Sequence, residues 1–239
     1  MIRPETAGSP IRPAPTATTT PTTPTTAGAD TGTALTVTSA AGGGPRVLDL
    51  RGADHPGPLT LRWPAGDRVV VSGLPGGGKS TLMARLADPG VSALRIDSQD
   101  ARDRWGSRLP ARLPYAVYRP AVRLSHHLGL WRVLRSPLAL LVHDCGRGGF
   151  VRRRLATGAR RVGADLHLLL LDVPPSLARA RQEERGRTVS PRAFRRHRRA
   201  MARLITAIES GRLPRGCASV TLLDARAAQD ITELGFLPD

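Results

Sequence analysis

From residue 46 onward, short apolar runs alternate with longer amphipathic stretches; before it neither pattern is present. Arg68–Ser72 reads RVVVS, a β-branched run bounded by a glycine-rich turn, which predicts a strand buried on both faces. Ser92–Ile96, Leu138–His143 (LALLVH), Leu166–Val173 (LHLLLLDV) and Ser219–Leu223 (SVTLL) repeat the signal. Helical spacing fills the intervals. Lys79–Ala87 predicts a helix that Asp88-Pro89-Gly90 ends. Phe150–Val162 places Val151, Leu155, Ala159 and Val162 on one side, with Gly163 as the stop. Pro174-Pro175 opens a helix to about Arg185, because proline is tolerated in a first turn. Ser190-Pro191 pairs an N-cap with proline at the first helical position; the helix it opens gathers Phe194, Met201, Leu204, Ile205 and Ile208 on one face and ends at Gly211. Arg46–Leu50 and Leu59–Arg62 are short extended runs, read as a hairpin ahead of this core.

Strands alternating with helices predict an α/β fold with a parallel sheet and right-handed crossovers. One connection, residues 98–136, is too long for a plain crossover and is expected to form a helical insert. Residues 1–45 are Thr, Pro, Ala and Gly with almost no bulky apolar side chain. Such a segment cannot bury enough surface to offset the entropy of ordering, so it is expected to be a disordered tail ahead of one domain over 46–239.

No stretch approaches the ~18 apolar residues of a membrane span, and the N-terminus lacks the apolar core of a secretory signal. Cys145 follows one predicted strand and Cys217 precedes another, at opposite ends of a parallel sheet and too far apart to bridge. The expectation is a cytoplasmic protein with reduced thiols and no membrane partner. The net charge is +17. Two readings remain open: a nucleic-acid surface, or the arginine-rich background of a chain also rich in Ala, Gly and Pro.

Lysine changes the picture, because the chain contains it once, at Lys79. It falls in Gly73-Leu74-Pro75-Gly76-Gly77-Gly78-Lys79-Ser80-Thr81, a full match to the phosphate-binding pattern G-x-x-x-x-G-K-[ST] between a predicted strand and a predicted helix. Glycines permit the backbone angles that turn successive N–H groups inward as an anion nest, and the helix that follows adds its N-terminal dipole. Lys79 is the residue expected to reach the β and γ phosphates, and the Ser80 hydroxyl to join the Mg²⁺ shell. A slender ammonium slips between phosphate oxygens where a wide planar guanidinium does not.

From this loop to about residue 224 the chain resembles the P-loop kinases that include gluconate kinases, zeta toxins and polynucleotide kinases, a group often labelled AAA-type ATPases. The resemblance rests on Gly73–Thr81, on Ile96-Asp97-Ser98-Gln99-Asp100-Ala101-Arg102, on the strand end Leu141-Val142-His143-Asp144, and on the arginine-rich stretch Arg181 to Ser190. It implies a three-layer sandwich with sheet order 2-3-1-4-5 and an active site along the carboxyl ends of the strands. It implies ATP rather than GTP as the nucleotide, with Mg²⁺.

The resemblance also assigns candidates. Asp97 matches the position that contacts the acceptor hydroxyl; the alternative is a helix cap. Asp144 matches an acidic residue that orients Mg²⁺; the alternative is a strand-end turn residue. Arg181, Arg185 and Arg187 match a lid, residues 181–190, whose arginines fold over the triphosphate; the alternative is a solvated arginine face, and Arg192 to Arg199 reads that way. Asp172 ends a strand before Val-Pro-Pro and reads as a structural cap. The insert interleaves Trp105, Tyr115, Tyr118 and Trp131 with arginines, either to grip an acceptor or to form a small core of its own. His126-His127 has no matching acid or thiol pattern, so no metal site is read there. The leading reading is a phosphotransferase that moves the ATP γ-phosphate to a hydroxyl on a small molecule or a nucleic-acid end. The alternatives are an ATPase switch and a nucleic-acid-binding NTPase.

Overall fold

The computed structural model describes residues 35–38, 46–54, 57–85, 93–96, 136, 138–144, 149–186 and 189–238. The strands are β1 (Leu35–Thr38), β2 (Arg46–Asp49), β3 (Leu59–Trp63), β4 (Arg68–Gly73), β5 (Ala93–Ile96), β6 (Ala139–His143), β7 (Leu166–Leu171), β8 (Ser219–Leu223) and β9 (Ile231–Phe236). The helices are α1 (Lys79–Met83), α2 (Gly149–Arg161), α3 (Pro175–Glu184), α4 (Pro191–Glu209) and α5 (Ala227–Asp230).

Six strands form one parallel sheet in the order β2-β8-β7-β4-β6-β5. The five strands read from the apolar runs keep the expected order within it, with β4 between β6 and β7. β4 shows why the sheet is buried on both sides. Val69 and Val71 enter one apolar cluster and Val70 enters the other, as the period-two alternation of a strand requires. On the second face lie Leu155 and Ala156 of α2 with Phe194, Met201 and Ile208 of α4. Ser190 caps α4 as its sequence predicts, its Oγ accepting from the Ala193 N–H at 3.3 Å.

The hairpin expected from Arg46–Leu50 and Leu59–Arg62 does not form. β2 pairs in parallel with β8, Arg46 opposite Ser219 and Leu48 opposite Thr221. β3 enters a second, wholly parallel sheet of order β1-β3-β9. The reason is burial: Leu59, Leu61 and Trp63 cover the α1 face of the central sheet together with Ile231, Leu234 and Phe236 of β9. The Trp63 and Phe236 rings lie 6.1 Å apart, centroid to centroid. β9 escaped the sequence pattern because the register shifts between Leu59 and Thr60, which breaks its period-two alternation. Arg85, just after α1, ties this sheet to the helix by donating to the carbonyls of Ala228, Gln229 and Ile231.

The second sheet also moves the boundary of the tail, since β1 lies within the 1–45 stretch that composition assigned to disorder. Deletion of residues 1–34 is therefore expected to leave the melting temperature unchanged. Deletion of 1–45 removes the β1 ladder to β3 and is expected to lower it by at least about 4 °C, the equivalent of one or two net backbone hydrogen bonds. Equal melting temperatures for the two truncations would return β1 to the tail.

At the amino ends of the strands His167 bridges Ser219 Oγ at 2.8 Å and Asp67 Oδ2 at 2.7 Å, all three buried. At the carboxyl ends Arg51 pairs with Asp49, Asp172 and Glu209. The sequence context of Asp172 predicts a cap, but the N-cap of α3 is Pro174 with no side-chain cap hydrogen bond, and the Asp172 carboxylate meets Arg51 instead. Burial pushes the Cys217 thiol up to about 11, which keeps it protonated and unreactive. Cys145 and the histidine pair lie outside the described residues, as does the predicted insert but for Ser136. No helix among the described residues is long and apolar enough to cross a membrane.

Candidate active site

The phosphate loop leaves the carboxyl end of β4 and enters α1. Gly77 N–H donates to Leu74 O at 2.9 Å and tightens the turn. Gly76 and Gly78 hold φ of 82° and 95°, the left-handed region that favours glycine. At Gly76 space matters as much as angle, because a Cβ there would stand 2.1 Å from the Ala178 carbonyl oxygen of α3. The loop thus packs directly on α3.

Lys79 is only 5% exposed. Its Nζ donates to Gly73 O at 2.9 Å and Leu74 O at 2.8 Å, which holds the ammonium against the first two carbonyls of the loop. Ser80, half-buried, follows it on α1. This donor set of a buried ammonium, a hydroxyl and a glycine-rich turn running into a helix has the chemistry that a phosphate chain and a hard divalent cation require.

Asp144 comes directly after β6, and its N–H donates to Val71 O of β4 at 2.9 Å. The parallel pairing of β4 with β6 thereby sets this carboxylate beside the strand that carries the loop. Asp144 is 6% exposed, and its Oδ2 accepts from Arg152 Nη1 of α2 at 3.0 Å. Arg152 was not read from the sequence. The signal was present, since it stands three residues before Leu155 and four before Ala156 and so shares their buried helix face.

α3 supplies the opposite wall. A guanidinium nitrogen of Arg181 lies 3.6 Å from the place a Cβ on Gly78 would take. Gln182, 6% exposed, donates from Nε2 to Pro75 O at 2.9 Å and to Ala178 O at 3.3 Å, while its Oε1 accepts from Val189 N–H at 3.1 Å. One amide thus ties the loop, α3 and the segment entering α4 together. No local pattern distinguishes it from a surface glutamine. Arg179 stacks over the Phe194 ring at 4.9 Å, beside a cavity of about 240 Å³ that Gln182, Val189 and Phe194 also line. The structure gathers the loop, Asp144, Arg181 and Gln182. Arg185 ends α3 exposed to solvent, and Asp97 and Arg187 lie outside the described residues.

Replacing Gln182 by Leu strands the Pro75 carbonyl and the Val189 N–H, at a cost of about 1–3 kcal/mol in loop order. ATP–Mg²⁺ affinity is expected to fall about tenfold, read by thermal-shift titration. Gln182→Glu keeps the acceptor for Val189 but not the donor to Pro75, and should fall between. Unchanged affinity in both variants would leave Gln182 a packing residue only.

A parallel sheet of this order, with the phosphate loop at the carboxyl end of its central strand, defines a P-loop nucleotide-binding fold. The chain matches the AAA domain family over residues 69–209, more than half its length, and belongs to that family. No curated protein matches it. Among solved structures it is similar to one from the PezAT toxin–antitoxin system of Streptococcus pneumoniae, at 16% identity over 73% of this chain and 70% of the other with a TM-score of 0.47. A gluconokinase from Sinorhizobium meliloti matches at 19% identity over 71% and 89%, with a TM-score of 0.39. A shikimate kinase from Bacteroides thetaiotaomicron matches at 16% over 64% and 85%, with a TM-score of 0.37.

Proposed function

We propose that the chain is an ATP-dependent phosphotransferase that moves the γ-phosphate to a hydroxyl acceptor, a small molecule or a nucleic-acid end, in the cytoplasm. The observation that carries this reading is the buried Lys79 ammonium in its loop, with Asp144 at the end of the neighbouring strand β6 and Arg181 on the far wall. The loop N–H groups and Lys79 bind and orient the β and γ phosphates. Ser80 and Asp144 would hold Mg²⁺, which when bound neutralises charge on the phosphate oxygens. Arg185 and Arg187, from the lid segment 181–190, close over the triphosphate and stabilise the transferring charge. The acceptor oxygen bonds to the γ-phosphorus as the bond to the β–γ bridging oxygen breaks, and the hydroxyl proton passes to Asp97. The domain is taken as 46–239, extended toward the N-terminus by β1, with 98–136 on the acceptor side.

The test is ATP turnover with and without a panel of sugars, nucleosides and oligonucleotide ends, followed with γ-labelled ATP. Label appearing on an acceptor, with ADP release that depends on that acceptor, supports transfer. Turnover of equal speed without any acceptor, and label only in inorganic phosphate, would instead make the chain an ATPase.

A further inference from the structure

The helices on the second face of the central sheet carry a charge pattern that nucleotide binding does not explain. α4 buries Phe194, Met201 and Ile208. At 100° per residue, Arg192, Arg196, Arg199 and Arg203 fall on the opposite side as one stripe, and all four are exposed. α2 buries Leu155 and Ala156 in the same cluster and exposes Arg153, Arg154, Arg160 and Arg161 outward. The sequence of α2 has no acidic residue, and α4 has one, Glu209, which pairs with Arg51. Among the described residues no ion pair involves the α4 stripe.

Other parts of the described surface intermix signs, Arg51 with Asp49 and Asp172, Arg62 with Glu233, Arg226 with Asp54, whereas the α4 stripe sets four arginines on one helix face with no acid among them. Like charges at i, i+4 destabilise a helix by a few tenths of a kcal/mol per pair, so the stripe opposes the stability of α4 until an anion meets it. Successive stripe arginines rise by about 4.5–6 Å along the axis, a rigid ladder of guanidinium forks suited to successive phosphates. The apolar sides of both helices are occupied by the core, so their outward faces present guanidinium groups and no apolar wedge for a lipid layer among the described residues of the two helices.

We infer that the outward faces of α2 and α4 form a docking surface for a nucleic-acid phosphate backbone, separate from the nucleotide site. The contact is electrostatic and independent of base sequence.

The experiment uses the full chain and a fluorescently labelled DNA duplex, with anisotropy read across a salt series. Arg196→Gln/Arg199→Gln/Arg203→Gln is expected to weaken binding at least tenfold and to make the slope of log K against log salt shallower by about 2–3, near 0.9 per lost phosphate contact. Arg153→Gln/Arg160→Gln on α2 should weaken it as well. A control of equal charge loss, Arg46→Gln/Arg62→Gln/Arg226→Gln, should stay within about twofold of the parent. Equal weakening by the α4 and control variants would overturn the proposal in favour of bulk charge. So would binding to phosphatidylserine vesicles with none to the duplex. A folded circular-dichroism spectrum and stabilisation by ATP–Mg²⁺ should be retained in every variant, so this surface and the phosphotransferase reading fail independently.

Discussion

Lys79→Arg is expected to abolish productive nucleotide use while the fold survives. The substitution preserves charge, and arginine is the basic residue everywhere else in this chain. Shape is what changes. The Lys79 ammonium sits 2.9 and 2.8 Å from two loop carbonyls at a position only 5% exposed. A planar guanidinium is too wide to make both contacts and still present a point charge to the β and γ phosphates. Turnover should fall at least about a hundredfold, on the order of 2.7 kcal/mol, the loss typical of removing one charge-stabilising donor. Lys79→Ala should fall as far. Steady-state ATP turnover measures the effect, and a circular-dichroism melt shows whether the protein still folds. Near-normal turnover in folded Lys79→Arg would end the argument from the solitary lysine.

Asp97→Asn is expected to separate transfer from binding. β5 ends at Ile96, opposite Val142 of β6, and Asp97 is the next residue in the chain. Asparagine keeps the shape of aspartate and its ability to cap a helix, but it neither takes up a proton nor carries charge. ATP–Mg²⁺ should therefore raise the melting temperature of the variant as it does the parent, since ligand binding to the native state stabilises by mass action. Phosphate transfer should fall at least about tenfold, a floor below the usual contribution of a general base. Thermal-shift titration and label transfer, measured on one preparation, read the two effects side by side. Transfer at the parental rate would move the role to Asp100 or Asp144 and leave Asp97 as a cap.

The central sheet and its phosphate loop were legible in the sequence because their signals are local. An apolar run such as RVVVS, a glycine-rich turn and a Ser-Pro helix start each act within a few residues of themselves. The alternation of strand and helix then restricts how they can assemble. Lys79 stood out by composition, since one lysine among so many arginines needs a reason of shape. Other features depended on what comes together across the chain. β2 and β3 read alike as extended runs, yet β2 completes the central sheet and β3 the second one, because the apolar side chains of β3 and β9 need each other to cover α1. Arg152 and Gln182 are ordinary helix residues in sequence; only the packing of α2 against the end of β6, and of α3 against Gly76, brings them to Asp144 and Pro75. The arginines of α2 and α4 were countable from the start, but a face exists only once both helices lie on one side of a sheet. Charge is a property of residues, whereas a charged surface is a property of their arrangement, set by which sides the core has already buried.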